Sequence, residues 1–151
     1  MDEAQAKAAQ IFALFNEIGI ISQLSRAQFD AHLPDGFSVQ HFSVLNHLLR
    51  VKNGQTPLAL ARAFQVPKNT MTHTLGGLER AGLVALKPNP DDGRSKQVWI
   101  SDEGRTFRDQ AIASLVPSMM DLLPVLADVD VEKLVGDLVR IRTYLDAARD
   151  N

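Results

Sequence analysis

Apolar positions repeat with a helical period near both ends of the chain. From residue 4 to residue 31 large apolar residues recur every three or four positions, which predicts one long helix with an apolar stripe. The members of this stripe are Ile11, Leu14, Phe15, Ile18, Ile21 and Leu24. The same spacing predicts a last amphipathic helix from about residue 131 to residue 148. Its apolar face carries Val131, Leu134, Leu138, Ile141 and Leu145, widened by Val135 and Val139.

The first break lies at Pro34-Asp35-Gly36, a run of turn-forming residues. Ser38 follows at a position suited to an N-cap, and a second helix carrying four spaced apolar residues is predicted after it. These residues are Phe42, Leu45, Leu48 and Leu49. We expect this helix to stop near residues 52–54, with Gly54 as its C-terminal cap.

Two further short helices follow almost at once. Thr56 and Pro57 form a typical helix start, because proline lacks only an N–H that has no partner in the first turn. The third helix is predicted to end at residues 64–67, and a fourth to run from about Lys68 to Ala81, where Gly82 closes it. Short helices joined by a few residues predict a helix-turn-helix.

The period changes to that of β-structure after Gly82. Residues 83–87 and 97–100 are predicted as strands, and residues 88–93 between them are dense in turn formers, including an Asp-Gly pair. A helix-turn-helix followed by a β-hairpin is a winged helix. Ser101 then starts a long helix at Asp102, which Pro117 and Pro124 are expected to kink or interrupt.

The predicted fold class is mainly α (α+β). A winged helix-turn-helix, residues 34–101, lies between N- and C-terminal helical segments, residues 1–33 and 102–151.

The fourth helix has an exposed face suited to reading a DNA groove. At about 100° per residue, Met71, Leu75 and Leu78 fall in one sector and must face the core. The opposite sector carries Asn69, His73, Gly76 and Arg80, with Thr70, Thr72 and Gly77 beside it. This polar face predicts contacts with base edges in a major groove, although an isolated helix with such a face is more often simply solvated.

The fourth helix has two further features. Lys68 stands at its N-terminus, where the helix dipole favours a phosphate. Gly76 and Gly77 are adjacent inside the helix, which is unfavourable by on the order of 1 kcal/mol each relative to alanine. Two explanations of this pair stay open. The glycines allow the backbone to approach DNA or a neighbouring helix closely, or the packing there simply tolerates them.

The predicted hairpin carries a second group of basic residues. Arg94 lies at or beside the tip, two residues after Asp92 and two before Lys96. Residues two apart on an extended chain share a face, so Asp92 is placed to orient the Arg94 guanidinium. An arginine at such a tip fits a narrow A·T-rich minor groove, where negative potential is concentrated.

The charge is distributed unevenly along the 151 residues. The formal net charge is −2, yet residues 50–108 hold ten lysines and arginines against five acids, and the flanks hold the remaining six bases and thirteen acids. A basic centre between acidic ends is typical of a module that binds a polyanion. The start of the sequence lacks the pattern of a signal peptide and no apolar run is long enough for a membrane span, so a cytoplasmic protein without membrane contact is expected.

Enzymatic and cofactor-dependent functions find no support in the sequence. There is no cysteine, which excludes disulfides, thiolate metal sites and thiol-based redox sensing. The four histidines are His32, His41, His47 and His73. His41 and His47 are six residues apart on one predicted helix and point in different directions, so no metal site is predicted, although a site built from histidine and aspartate stays open. We expect no enzyme, no catalytic residue and no cofactor.

The stretch from Ser38 to Phe107 resembles the multiple antibiotic resistance regulator (MarR) family of bacterial transcription factors. The residues that carry the resemblance are Leu60-Ala61-Arg62-Ala63-Phe64, Lys68-Asn69-Thr70-Met71-Thr72, Leu78-Glu79-Arg80-Ala81-Gly82-Leu83-Val84, Pro90-Asp91-Asp92-Gly93-Arg94 and Ser101-Asp102-Glu103-Gly104. The flanking helices match only in placement. In one departure, Pro67 replaces the usual Ser or Asp cap of the fourth helix, which predicts a later start with Asn69 as cap. His73 stands where the family often has arginine, and Gly93 stands where it has a second basic residue.

The resemblance implies a homodimeric regulator, by expectation a repressor, that reads a palindromic operator in double-stranded DNA and is released by a small aromatic or amphipathic ligand. The expected DNA-binding residues are Lys68, Asn69, Thr70, Thr72, His73, Arg80, Arg94 and Lys96, with Asp92 orienting the wing. The resemblance also implies that residues 34–101 are the DNA-binding domain and that the N- and C-terminal helices, residues 1–33 and 102–151, form an all-α dimerisation region. The expected dimerisation residues are Ile11, Phe15, Ile18, Leu134, Leu138, Ile141 and Leu145. The alternative is a winged-helix adaptor whose basic face binds an acidic protein partner.

Overall fold

The computed structural model of the chain describes residues 2–149. Its helices and strands follow in the order α1 (Glu3–His32), α2 (Val39–Arg50), α3 (Pro57–Phe64), α4 (Lys68–Arg80), β1 (Val84–Asn89), β2 (Asp92–Ile100), α5 (Asp102–Ser114), α6 (Val116–Asp121) and α7 (Val131–Ala148). Residues up to Ser114 form one compact unit, and those from Leu115 onward form a second. The mainly α winged-helix fold predicted from the pattern is confirmed.

Polar side chains fix the start of α2. Ser38 is the N-cap, as predicted, and its backbone N–H donates to Nδ1 of His41 at 2.9 Å in a capping box. Asp30 near the end of α1 adds a second cap, because its Oδ1 accepts from the N–H of Val39 at 2.7 Å. The turn between α1 and α2 is therefore held from both sides.

The end of α2 differs from the prediction. The helix stops at Arg50 with Val51 as its C-cap, so the prediction that Gly54 caps it is wrong. Gly54 has a φ of +75° and belongs to the next segment, where its N–H donates to the carbonyl of Val98 in β2. Gly54 therefore allows a contact with a strand that is distant in sequence, and its position after a predicted helix does not reveal this contact.

The turn between α3 and α4 ends one helix and starts the next within three residues. Gln65 takes the left-handed conformation at φ +51° and closes α3. The helix α4 then begins directly at Lys68 with Pro67 as its N-cap, so the predicted later start with Asn69 as cap is wrong. Proline fixes its own φ and is compatible with this position without supplying a side-chain hydrogen bond.

The hairpin is longer and its turn tighter than predicted. Strand β2 already begins at Asp92, the turn consists of Pro90 and Asp91, and the Asp-Gly pair lies inside the strand. The antiparallel register pairs Val84 with Ile100, with an irregularity after Pro88. The prediction that residues 88–93 form the turn is therefore wrong at both ends.

The segment after α2 joins the helix-turn-helix to the sheet. Oδ1 of Asn53 accepts from the backbone N–H of Ile100 at 3.0 Å, and Gln55 forms an isolated antiparallel bridge with Val98. Trp99 lies over Gly54, where an added Cβ would stand 2.5 Å from the indole ring, so only glycine fits there. Helices and hairpin are thus fixed to each other.

The core of the first unit gathers the apolar faces of α2, α3, α4 and the hairpin. Its fully buried members include Leu45, Leu48, Leu60, Met71, Leu75, Leu78 and Val98. The start of α5 is anchored on it by Ser101, whose hydroxyl donates to the carbonyl of Gly82 and accepts from the N–H of Gly104. A Cβ on Gly104 would collide with the carbonyl oxygen of Leu83, which explains why glycine stands there.

The predicted interruption after α5 is confirmed. The break falls at Leu115, Pro117 lies in the first turn of α6, and residues 122–129 form turns that include Pro124. In the second unit, Asp130 caps α7 through the N–H of Lys133. No helix within residues 2–149 is long and apolar enough to span a membrane.

Candidate nucleic-acid interface

The exposed face of α4 carries the predicted reading residues. Lys68, Asn69, Thr70, Thr72 and His73 are all exposed. On the opposite face, Met71, Thr74, Leu75 and Leu78 are buried. The polar member of this buried set, Thr74, donates its hydroxyl to the carbonyl of Thr70 and so needs no outside partner. The helix therefore presents donors and acceptors to solvent on a rigid, core-anchored element, as a groove-reading helix requires.

The N-terminus of α4 is open. Within residues 2–149 no side chain caps it, because Pro67 offers none, and Lys68 stands beside its first-turn N–H groups. Such N–H groups and the positive end of the helix dipole favour an anion. A phosphate group of a nucleic acid supplies what is missing here, namely oxygen atoms that accept hydrogen bonds from these N–H groups and a negative charge.

The wing arginine is held by the carboxylate two residues before it. Oδ1 of Asp92 accepts from the backbone N–H of Arg94 at 3.0 Å and lies 3.5 Å from Nε of the same residue. The Arg94 side chain is 95% exposed, against 48% for Asp92. Because the carboxylate fixes the base of the side chain, the guanidinium is directed outward with its far edge open to a partner.

The tip of the wing is stiffened by a second polar cluster. The side-chain amide of Asn89 donates to the hydroxyl of Ser95 at 2.9 Å, and its oxygen accepts from the N–H of Asp91. Ser95 also donates to the carbonyl of Asp92. The two-residue turn and the strand ends beside it are thus joined by side-chain hydrogen bonds.

The helix and the wing line one groove of about 470 Å³, which we call the helix–wing groove. Its walls are Thr56, Pro57, Leu58, Lys68, Thr72, Leu86, Asn89, Asp92, Arg94, Ser95 and Lys96. The structure thus brings together five of the predicted residues, namely Lys68, Thr72, Asp92, Arg94 and Lys96. Asn69, Thr70 and His73 lie outside the groove lining on exposed positions of α4. Three basic side chains around one opening form a surface suited to a polyanion.

The N-terminus of α3 also lines this groove, a position that the sequence pattern does not predict. Thr56 caps α3 by accepting from the N–H of Ala59, and Pro57 and Leu58 follow it on the groove wall. The Thr-Pro start is visible in the sequence, but its place beside the wing depends on the hydrogen bond that ties Asn53 to β2.

Arg80 lies at the other end of α4. It is exposed, and its guanidinium lies back along the helix, 3.2 Å from where a Cβ on Gly76 would stand. Twelve residues separate it from Lys68, which is roughly 18 Å along the helix axis. It therefore stands apart from the helix–wing groove.

The second glycine of the pair marks close packing between helices. A Cβ on Gly77 would stand 3.0 Å from Nε2 of His41 on α2. Burial, followed by the charge of His73 on α4, lowers the pKa of His41. Between the two explanations for Gly77, the structure favours close approach to a neighbouring helix.

His47, also on α2, has a separate environment. Its ring packs edge-on against Phe64 and its Nε2 lies 3.1 Å from the side-chain amide of Gln55. Burial lowers the pKa of His47, the hydrogen bond to Gln55 opposes this, and Arg50 adds to the lowering. Nowhere in residues 2–149 do three or more His, Asp or Glu side chains come together in a metal-binding group.

Comparison with known proteins agrees with this architecture. Residues 35–95 match the family model described as MarR family. The curated transcriptional activatory protein BadR of Rhodopseudomonas palustris is 37% identical over 73 residues, which are 47% of this chain and 42% of that protein. The chain thus matches less than half the length of this relative.

Solved structures share the fold over nearly the whole chain. The transcriptional regulator BldR of Sulfolobus solfataricus is 24% identical with a TM-score of 0.71, over 95% of this chain and 99% of that one. A mutant MarR from E. coli, complexed with operator DNA, is 20% identical with a TM-score of 0.67, over 90% and 96%. The resemblance carried by the motifs is therefore confirmed over residues 35–95, where the chain is similar to the MarR family.

Proposed function

We propose that this chain is a homodimeric transcriptional regulator that represses genes by binding a palindromic operator. The observation that carries the proposal is the helix–wing groove, in which Lys68 and Thr72 of α4 face the same opening as Arg94 and Lys96 of the wing. A recognition helix and a wing on one side of a domain can engage adjacent grooves of one duplex. The similar MarR chain solved with operator DNA supports this use of the fold.

Each exposed residue has a role in this complex. Asn69, Thr70, Thr72 and His73 enter the major groove, where amide, hydroxyl and imidazole groups pair with base edges. Lys68 and the open start of α4 hold a phosphate. The phosphate contacts set the position of the helix, and the base contacts supply the specificity.

The basic residues outside the major groove complete the contact. Arg94 enters a narrow minor groove, held at its base by Asp92, and Lys96 adds positive charge beside it. Arg80, at the far end of α4, contacts the backbone. Because these contacts depend on charge, binding is expected to weaken steeply with salt.

Dimerisation is proposed through apolar surface that each unit leaves exposed. In the first unit, α1 exposes large apolar side chains on several sides, Ile11, Phe12, Phe15, Ile21 and Leu24 among them, with Ile18 half-buried. In the second unit, α7 has no buried residue, Leu134 and Leu145 are exposed, and Leu138 and Ile141 are half-buried. Apolar surface of this extent marks an interface, and a second copy of the chain supplies a matching one by two-fold symmetry.

The effector is proposed to bind beside α5. A cavity of about 190 Å³ lies between the end of α1 and α5, lined by His32, Pro34, Phe107, Gln110, Ala111 and Ser114. Its mixed lining and small volume suit one aromatic ring with a polar group. Phe107 also packs against Phe37 ahead of α2, with ring centroids 4.9 Å apart. A ligand that displaces Phe107 would therefore move the start of the winged helix, and ligand and DNA affinities would oppose each other reciprocally.

The test is footprinting on the DNA upstream of the chain's own gene, together with sedimentation of the free protein. We expect a protected palindrome with half-sites about one helical turn apart, and a dimer in solution. A reporter driven by the protected promoter should rise in expression when the gene is deleted, as repression requires. Binding to an acidic protein without protection of any DNA sequence would refute the regulator and favour the adaptor.

A further inference from the structure

His41 stands at the contact between α2 and the recognition helix α4, where it faces Gly77. Its Nδ1 accepts from the backbone N–H of Ser38 at 2.9 Å and lies 3.2 Å from the Ser38 hydroxyl. Its ring also meets Phe37 edge-on, with centroids 5.4 Å apart. The imidazole is therefore held on two sides by residues at the start of α2 and is not a freely moving side chain.

The opposite nitrogen of the same ring is directed at α4. Nε2 of His41 lies 3.0 Å from where a Cβ on Gly77 would stand. Since Nδ1 accepts a hydrogen bond, the neutral ring carries its proton on Nε2. Burial and the neighbouring His73 lower the pKa of His41, which keeps the ring in the neutral form that this capping contact needs.

The adjacent Gly76 shows that the packing at Gly77 is specific. A Cβ on Gly76 would meet only the flexible guanidinium of Arg80, which can move aside. A Cβ on Gly77 would press on a ring fixed to the N-terminus of α2. Because the ring is held by Ser38 and Phe37, an alanine at 77 is accommodated by a shift of a few tenths of an ångström between α4 and α2, whereas an alanine at 76 needs none.

We propose that His41 is a positioning residue for the recognition helix, acting through Gly77 to set how closely α4 lies against α2. This inference rests on the proposed DNA-binding function. The reading residues Asn69 to His73 lie four to eight positions before Gly77, roughly 6–12 Å along the helix axis. A change in the packing at Gly77 therefore shifts the reading residues relative to the rest of the winged helix, without removing a side chain that we propose to contact DNA.

The experiment compares Gly77→Ala in two backgrounds, wild type and His41→Gln. Glutamine at this position keeps the capping box, because its side-chain oxygen accepts from the N–H of Ser38, and its flexible end can yield to a new Cβ. Affinity is measured for a duplex that carries the footprinted palindrome and for a scrambled duplex of the same length. Melting temperatures of all four proteins and of Gly76→Ala are recorded without DNA.

In the wild-type background we expect Gly77→Ala to weaken binding to the palindrome by about tenfold, comparable to one mismatched base pair. Binding to the scrambled duplex should change by less than about twofold, because every phosphate-binding side chain is retained. In the His41→Gln background the same substitution should leave palindrome affinity within about twofold of His41→Gln alone. The melting temperature of Gly77→Ala should fall below that of Gly76→Ala, whereas the double variant should melt at about the same temperature as His41→Gln alone.

Wild-type affinity in Gly77→Ala, or the same loss in both backgrounds, would overturn the positioning role. A parallel loss on palindrome and scrambled DNA would also overturn it, because that result indicates general damage to the fold. If the wild-type protein forms no sequence-specific complex, the proposed function fails and takes the positioning role with it. The melting temperatures then still decide whether His41 and Gly77 are in contact.

Discussion

Arg94 provides the sharpest test of how the wing contributes to DNA binding. Its side chain is 95% exposed, and its ion pair with Asp92 has a separation of 3.5 Å. Exposed ion pairs of this kind contribute little to stability. We therefore expect Arg94→Ala to leave the free energy of unfolding unchanged within about 0.5 kcal/mol, so any loss of binding reports the DNA contact itself.

The expected loss follows from the contact that the arginine makes. Removal of an arginine from a DNA groove weakens binding by about 1–3 kcal/mol, which is roughly a 5- to 150-fold rise in Kd. The variant also loses one positive charge from the contact with DNA. The slope of the logarithm of the binding constant against the logarithm of the salt concentration should therefore become less steep by about 1. Arg94→Lys retains the charge but loses the planar guanidinium, so its affinity should fall between those of wild type and Arg94→Ala.

The assay is fluorescence anisotropy with the footprinted duplex between about 50 and 200 mM salt, a range in which phosphate contacts differ strongly in strength. Arg140→Ala is the matched control, because Arg140 on α7 is a similarly exposed arginine that lies outside the proposed interface. Unchanged affinity and unchanged salt slope in Arg94→Ala would refute the proposed role of the wing. Equal losses in Arg94→Ala and Arg140→Ala would show an effect of net charge alone.

Three further predictions concern assembly, packing and pH. Leu138→Asp should convert the dimer into monomers in sedimentation experiments, since it places a charge in an apolar interface. The control Arg140→Asp, on the opposite side of α7, should remain dimeric. A dimeric Leu138→Asp protein would place the interface elsewhere. Gly104→Ala should lower the free energy of unfolding in urea by about 1–3 kcal/mol, because its Cβ meets a backbone carbonyl; stability equal to wild type would refute this packing. The pKa values of His41 and His47 are lowered in the fold, so the unfolded chain binds more protons below about pH 6.5 and stability should fall as the pH drops from about 7.5 to 5.5. His41→Gln should flatten this dependence, and stability that rises on acidification would contradict it.

The parts of the fold that depend on neighbours in sequence could be predicted from the sequence. Ser38 and Thr56 cap the helices that follow them, and Pro57 stands at a helix start, because a helix terminus is satisfied by residues within one turn. The pair of Asp92 and Arg94 has the same local character, since residues two apart on a strand share a face.

The parts that depend on distant contacts could not be predicted in this way. Gly54 has the spacing of a helix cap, yet its positive φ serves a turn under Trp99 and a bond to β2. The hydrogen bond from Ile100 to Asn53 spans 47 residues, and no periodicity reveals it. His41 is one of four scattered histidines in the sequence, and its contact with Gly77 appears only when α2 and α4 are packed together.

The position of Trp99 has a practical consequence for measurements on this protein. It is the single tryptophan of the chain, and it lies over Gly54 where the turn after α2 joins strand β2. Its emission reports the environment of that one junction, with no second indole to obscure it. A titration or unfolding curve followed by this emission would therefore report whether helix and wing separate, while events confined to the second unit would leave the signal unchanged.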